Sequence, residues 1–310
     1  MGQIVERLNP RCGFFYDIDS VLVQVKSPWQ DIELAESPEF GKVLLLDGIT
    51  QVALKGEERY HETLVVPAML AHPSPRRVLI LGGGDGGVLR EVLAFKTVEK
   101  AIMVDLDPAV IEFSRQYLPE INAGAFEDPR AEIAPGDGRR YVEQCRDASF
   151  DVVIMDMTDP FGPSEMLYTR EFFQQVRRIL DGDIGVFAMH GESRVARPLA
   201  WVCIHATLSQ VFPLVRPAFA FVPMYGTLWS FQFASGVSDP GRLACRELET
   251  RLLEAGHPEP RFCRPSMWPA LFAMDPAAEQ ALKLEHPIIT DMASRFPDAF
   301  DPHSALTKQA

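Results

Sequence analysis

VLILGGGDGGVLREVLAF, residues 78–95, decides the fold. Its first four residues are apolar and read as a buried strand. Five of the next six are glycine, interrupted only by Asp85. Val88, Leu89, Val92 and Leu93 then recur at helical spacing. A strand, a glycine turn and a helix N-terminus make a cradle for a nucleotide-like ligand, because backbone N–H groups and the helix dipole converge there. Glycine suits the turn, where the backbone needs positive φ and close approach. Two templates fit. Gly82-x-Gly84-x-x-Gly87 is a dinucleotide fingerprint, and Gly82-x-Gly84-x-Gly86 is the pattern of S-adenosylmethionine-type folds.

Downstream, strands alternate with helices, which predicts a parallel sheet covered on both faces. Strands are expected at 102–106, 131–134, 150–157, 185–189, 219–224 and 228–234. Asp107-Pro108 opens a helix with a capping residue and a proline in its first turn, and 168–180 is amphipathic. Beyond about residue 258 only short helices are expected. Upstream, 14–54 reads as a meander of about four strands, with Asp47-Gly48 as a hairpin turn. Residues 59–70 have helical spacing, broken by His72-Pro73-Ser74-Pro75.

The chain has 310 residues, 47% of them apolar, enough for one large domain or two modest ones. No apolar run reaches the roughly 18 residues of a membrane helix, and no secretory signal is visible. A net charge of −13 disfavours nucleic acid and anionic membranes as partners. Cys12, Cys145, Cys203, Cys245 and Cys263 form no C-x-x-C pair, so neither a zinc site nor a disulfide framework is indicated. Buried free thiols in a reducing cytoplasm are expected.

Acidic residues fall at successive carboxyl ends of the predicted strands, where ligands of such sheets sit. Asp85 lies in the first loop. Asp105 ends the second strand, placed to bind ribose hydroxyls. Asp137, in Gly-Asp-Gly, suits a turn or a ligand. Asp156 and Asp159 follow the fourth strand. A carboxylate ending an apolar strand is costly unless used, which marks Asp156 as functional. Asp107 reads as a helix cap.

Several segments together resemble the polyamine aminopropyltransferases, the family of spermidine synthase. They are LLLDGITQ (44–51), YHE (60–62), GGGDGGVLREV (82–92), YLPEINAGAFEDPR (117–130) and DMTDPFGP (156–163), in the family's order. The resemblance implies a small N-terminal β domain, residues 1–56, before a methyltransferase-like Rossmann domain, residues 57–310. It implies transfer of an aminopropyl group from decarboxylated S-adenosylmethionine, a co-substrate, to an amine, putrescine giving spermidine, with methylthioadenosine released. It also implies no metal and a homodimer or homotetramer. Asp156 matches the family's proton acceptor. Tyr60, Asp159 and Tyr225 match acceptor-amine contacts. Gln30, His61, Gly82, Gly84, Asp85, Asp105, Asp137 and Gly138 match donor-side positions. The chain departs from the family in carrying Asp105 rather than glutamate, Tyr225-Gly226-Thr227-Leu228 rather than Tyr-Pro-Ser-Gly, and Trp268 where histidine is common. The last two bear on the acceptor's identity, so 224–229 is expected at the far end of the amine channel.

The chemistry is consistent with these residues. An alkylammonium, with a pKa near 10.4, has no lone pair until it loses a proton. A carboxylate such as Asp156 can take that proton. The sulfonium donor is already activated, so in-line positioning supplies much of the remainder. Ordinary S-adenosylmethionine carries a carboxylate that Asp85 and Asp156 would repel; two unit charges about 4 Å apart interact by roughly 4 kcal/mol at an effective dielectric near 20. Alternative readings are a spermine- or thermospermine-type synthase, an S-adenosylmethionine methyltransferase, a nicotinamide oxidoreductase and a non-catalytic polyamine-binding module. The oxidoreductase leaves Asp156-x-x-Asp159-Pro unexplained.

Overall fold

The computed structural model describes residues 2–300 except 159 and 161. Six strands come first: β1 (Gly2–Asn9), β2 (Cys12–Ile18), β3 (Ser20–Lys26), β4 (Asp31–Ser37), β5 (Gly41–Leu46) and β6 (Ile49–Ala53). The expected meander is therefore two units, a β1–β2 hairpin and a four-stranded antiparallel sheet in chain order. Strand β1 was not anticipated; its side chains are mostly exposed or half-buried and carry little apolar signal. Asp47 and Gly48 form the β5–β6 turn, both with positive φ, the conformation that a two-residue hairpin requires.

The rest alternates as read. It comprises α1 (Glu58–Ala71), β7 (Arg77–Gly82), α2 (Gly87–Ala94), β8 (Lys100–Val104), α3 (Pro108–Tyr117), α4 (Pro119–Asn122), β9 (Ala131–Ile133), α5 (Gly138–Gln144) and β10 (Val152–Asp156). Then come α6 (Arg170–Ile179), β11 (Val186–His190), α7 (Pro198–Ser209), β12 (Leu214–Val222), β13 (Thr227–Ser235), α8 (Cys245–Glu254), α9 (Trp268–Leu271) and α10 (Pro276–Leu282). One seven-stranded sheet runs β12-β13-β11-β10-β7-β8-β9. Five strands are parallel, but β13 pairs antiparallel with both β11 and β12, so the sheet is mixed rather than parallel throughout. The two final strands are joined by a tight turn at Gly226, φ +61°, which leaves no length for a crossover helix. Helix α7 was not anticipated because it is apolar on most faces and shows no amphipathic period; Ala200 through Ile204, Thr207 and Leu208 are all buried.

Chain order reverses between β7 and β10, which lie side by side although β8 and β9 intervene in sequence. A crevice opens at such a reversal, beyond the carboxyl ends of the strands. Register brings Gly82 opposite Asp156, and the Gly83 N–H donates to the Asp156 carbonyl at 3.0 Å. The glycine loop and the acidic strand end are thus locked together by the ladder itself. One apolar cluster joins Ile32, Leu44 and Val52 of the N-terminal sheet to Leu64 and Val65 of α1 and Ile80 of β7. All five cysteines are free, but only Cys203 and Cys263 are buried; Cys12 and Cys245 are exposed. Among the described residues no helix is long and apolar enough to cross a membrane.

Candidate active site

A cavity of about 550 Å³ fills the crevice. Its walls bring together the expected Gln30, Tyr60, His61, Gly82, Gly84, Asp85, Asp105, Asp137, Gly138, Asp156 and Tyr225. Asp159 lies outside the described residues. Trp268 is corrected: it does not line this cavity. It is buried on α9, donates from Nε1 to the Pro240 carbonyl at 2.8 Å and packs against Phe272, a structural place.

Helix α1 supplies one wall because almost its whole circumference is buried, so the polar residues of its first turns point into the protein. The Tyr60 hydroxyl donates to Asp156 Oδ1 at 2.7 Å. Burial, reinforced by the Asp85 charge, pushes the Asp156 carboxyl up to about 7, against the opposing pull of His61 and Tyr60. Burial beside Asp156 raises the Tyr60 phenol well above its usual value, so it stays a donor.

The glycine loop forms the adjoining wall. A Cβ at Gly82 would overlap the Asp156 carbonyl, and one at Gly84 would meet Asp105 Oδ2 at 2.8 Å. Asp85 Oδ1 accepts from the Gly87 N–H at 2.6 Å, while Oδ2 faces His61 Nε2 at 3.5 Å. Burial opposes ionisation of Asp85, but His61 and the Gly87 N–H outweigh it and hold the carboxyl below its usual range. Burial, with the charge of Asp107 adding to it, raises Asp105 to about 6.

Other expectations divide. Asp107 caps α3 through the Ala109 N–H, as read, and its second oxygen also holds Ser27 Oγ at 2.6 Å and Gln30 Nε2 at 3.0 Å. Asp137 both caps α5, accepting from the Arg140 N–H, and lines the cavity. Of the 224–229 stretch, Tyr225 and Trp229 reach the cavity, whereas Met224 lies in the core against the Ala53 N–H. The Tyr225 hydroxyl donates to the Gln51 carbonyl at 2.7 Å, and its ring meets Tyr60 edge-on at 5.8 Å. His190 and Glu192, at the end of β11, line the cavity and were missed, as was Glu6 of β1. His190 stacks on Trp229 at 5.7 Å and shares a 2.8 Å hydrogen bond with the Tyr168 hydroxyl. The signal existed: His190-Gly191-Glu192 ends the fifth parallel strand as Asp156 ends the fourth.

The site therefore offers carboxylates for a cation, a backbone cradle, aromatic faces and two carboxyls, Asp105 and Asp156, raised toward neutrality. Comparison with known proteins gives the family. Residues 57–239 match the family described as spermine/spermidine synthase domain, and residues 3–53 that described as spermidine synthase tetramerisation domain. The polyamine aminopropyltransferase of Nitrosomonas europaea is 39% identical over 252 residues, 81% of this chain and 77% of its own. The polyamine aminopropyltransferase 1 of Aquifex aeolicus is 43% identical over 257 residues, 82% of this chain and 90% of its own. A spermidine synthase solved in complex with the transition-state analogue AdoDATO superposes with a TM-score of 0.84 at 36% identity, covering 91% of this chain and 94% of that one. The spermidine synthase of Thermotoga maritima gives 0.82 at 35% identity, covering 92% and 95%.

Proposed function

The chain belongs to the spermine/spermidine synthase family and is an aminopropyltransferase, and from that premise we propose that it converts putrescine and decarboxylated S-adenosylmethionine to spermidine and methylthioadenosine. The amine nitrogen attacks the aminopropyl carbon bound to sulfur. The C–S bond breaks, its electron pair stays on sulfur, and the thioether leaves. The proton shed by the ammonium goes to Asp156, the general base. Tyr60 holds that carboxylate through its 2.7 Å hydrogen bond, and with Tyr225 and Asp159 it forms the acceptor side. The donor side is the glycine loop at Gly82 and Gly84, with Asp85 for the terminal ammonium and Asp105 for the ribose. Gln30, His61, Asp137 and Gly138 complete it. The N-terminal 1–56 segment is the oligomerisation unit, and 57–310 the catalytic one.

The single observation that carries this reading is the Tyr60–Asp156 pair, set against the glycine loop by the Gly82–Asp156 register. The test is Asp156→Asn, which keeps shape but cannot take a proton. Single-turnover rates should fall by about 10² or more, in line with general-base contributions, with donor affinity changed much less. In the wild type the rate should decline as pH drops below about 7, since the base is lost on protonation. A variant with near-normal turnover would remove Asp156 from the role.

A further inference from the structure

The reading of Asp156 as proton acceptor leaves unexplained a buried group of charges on the far side of the glycine loop. Glu57 immediately precedes α1, and its side chain is almost wholly buried. Glu57 Oε2 lies 2.5 Å from His61 Nδ1 and accepts from Arg90 Nη2 at 2.8 Å. Glu57 Oε1 accepts from Arg261 Nη2 at 2.5 Å. The other ring nitrogen of His61, Nε2, faces Asp85 Oδ2 at 3.5 Å.

Both nitrogens of one buried imidazole thus face carboxylate oxygens. A neutral ring must present a lone pair at one of them, which would point at an anion; only the doubly protonated ring suits both sides. We infer that Glu57 is a positioning residue for the transfer reaction: it fixes His61 as a permanent imidazolium behind the glycine loop, and that cation keeps Asp85 ionised and Asp156 available as a base. This rests on the proposed role of Asp156.

The surroundings agree. Gly87 has no side chain, and a Cβ there would overlap the His61 ring, so the ring packs directly on the loop backbone. Burial disfavours the charged imidazole, yet Asp85 and Glu57 outweigh it and hold the ring protonated to about pH 10. Glu57 remains ionised because His61 and Arg90 offset the cost of burying it. Arg261 lies within 4 Å of Glu62 and Glu91 as well, and Arg90 also pairs with Glu91 at 2.6 Å, so the cations behind Glu57 are themselves compensated. Asp156 is faced by Tyr60 and His61 from α1, by Asp85 from the loop and by Asp105 beyond β8. Of these His61 is the sole cation; without it, two neighbouring carboxylates push the base toward its protonated form.

The test uses the full chain and its Glu57→Gln variant, with ¹⁵N-imidazole NMR of His61 and the pH profile of single-turnover rate read side by side. In the wild type His61 should stay protonated through pH 9. In Glu57→Gln its titration should move down by about one unit or more, the usual effect of losing an opposite charge at contact distance, while the acid limb of the rate profile, near pH 7, stays in place because the ring is still protonated there. A structural role alone would lower the melting temperature or the rate without moving the His61 titration. His61→Gln is the second variant, informative even where Glu57→Gln folds poorly. It removes the cation altogether and should move the acid limb up. An unmoved His61 titration in Glu57→Gln, or a limb at the wild-type position in His61→Gln, overturns the inference. Failure of the Asp156 reading is distinguishable: it appears as retained turnover in Asp156→Asn, whatever His61 does.

Discussion

Asp85, Asp105, Asp137 and Asp156 are among the aspartates along one cavity, and the charge environment of Asp85 differs from that of Asp105 and Asp156. Asp85 is held ionised by His61 and a backbone N–H, whereas burial lifts Asp105 and Asp156 toward neutrality. Groups whose pKa values are driven apart are how one site both binds a cation and accepts a proton. The His61 contact also tempers the expected repulsion of a donor carboxylate, because the Asp85 charge is shared with an imidazolium 3.5 Å away. Asp85→Asn should still weaken binding of decarboxylated S-adenosylmethionine and narrow its advantage over the ordinary form. Titration calorimetry with both ligands measures this; an unchanged ratio of the two dissociation constants would remove Asp85 from donor choice. These aspartates were legible in sequence because each follows an apolar strand. His61 was legible only through the family resemblance, since no local pattern says that a helical histidine will meet two carboxylates. Glu6 was not legible at all: it reaches the site from a strand whose own pattern is mostly polar.

At the scale of elements, the glycine loop and the start of α1 form one unit. Three of its glycines are required by what lies against them: the Asp156 carbonyl at Gly82, Asp105 at Gly84 and the His61 ring at Gly87. Gly87→Ala should displace the imidazole. Overpacking of this kind costs about 1–3 kcal/mol, and we expect a melting temperature lower by several degrees with donor affinity reduced about tenfold or more. Wild-type melting and wild-type calorimetry in that variant would contradict the packing described. The strand–turn–helix pattern made this element readable, as did the Asp-Gly turn between β5 and β6. Helix α7 and the antiparallel pair β12–β13 were harder. The helix is buried on most faces and so lacks a period, and strand direction depends on connections rather than on side-chain alternation.

At the scale of the whole molecule, the N-terminal sheet shares an apolar core with the catalytic part, yet β3 leaves Val21, Leu22 and Val25 exposed, with Trp29 nearby. Paired only with β4, β3 is an edge strand, and an apolar edge of this kind needs a partner. Leu22→Glu should lower the mass measured by light scattering toward that of one chain; an unchanged mass would place the oligomer contact elsewhere. The C-terminal segment also docks on the sheet-and-helix part. Asp291 takes a two-pronged bond from Arg139 at 2.9 and 2.6 Å, and Phe296 meets Tyr168 edge-on. Its proline-rich, charged sequence gave no sign of this, because the docking depends on partners more than a hundred residues away. The account as a whole is tested most directly by product analysis. The protein is incubated with putrescine and either decarboxylated or ordinary S-adenosylmethionine, each labelled in the chain attached to sulfur, and products are separated by mass spectrometry. We expect labelled spermidine and an equal amount of methylthioadenosine from the decarboxylated donor, and no transfer from the ordinary one. A methylated amine formed from ordinary S-adenosylmethionine, or no labelled spermidine from the decarboxylated donor, would contradict the account.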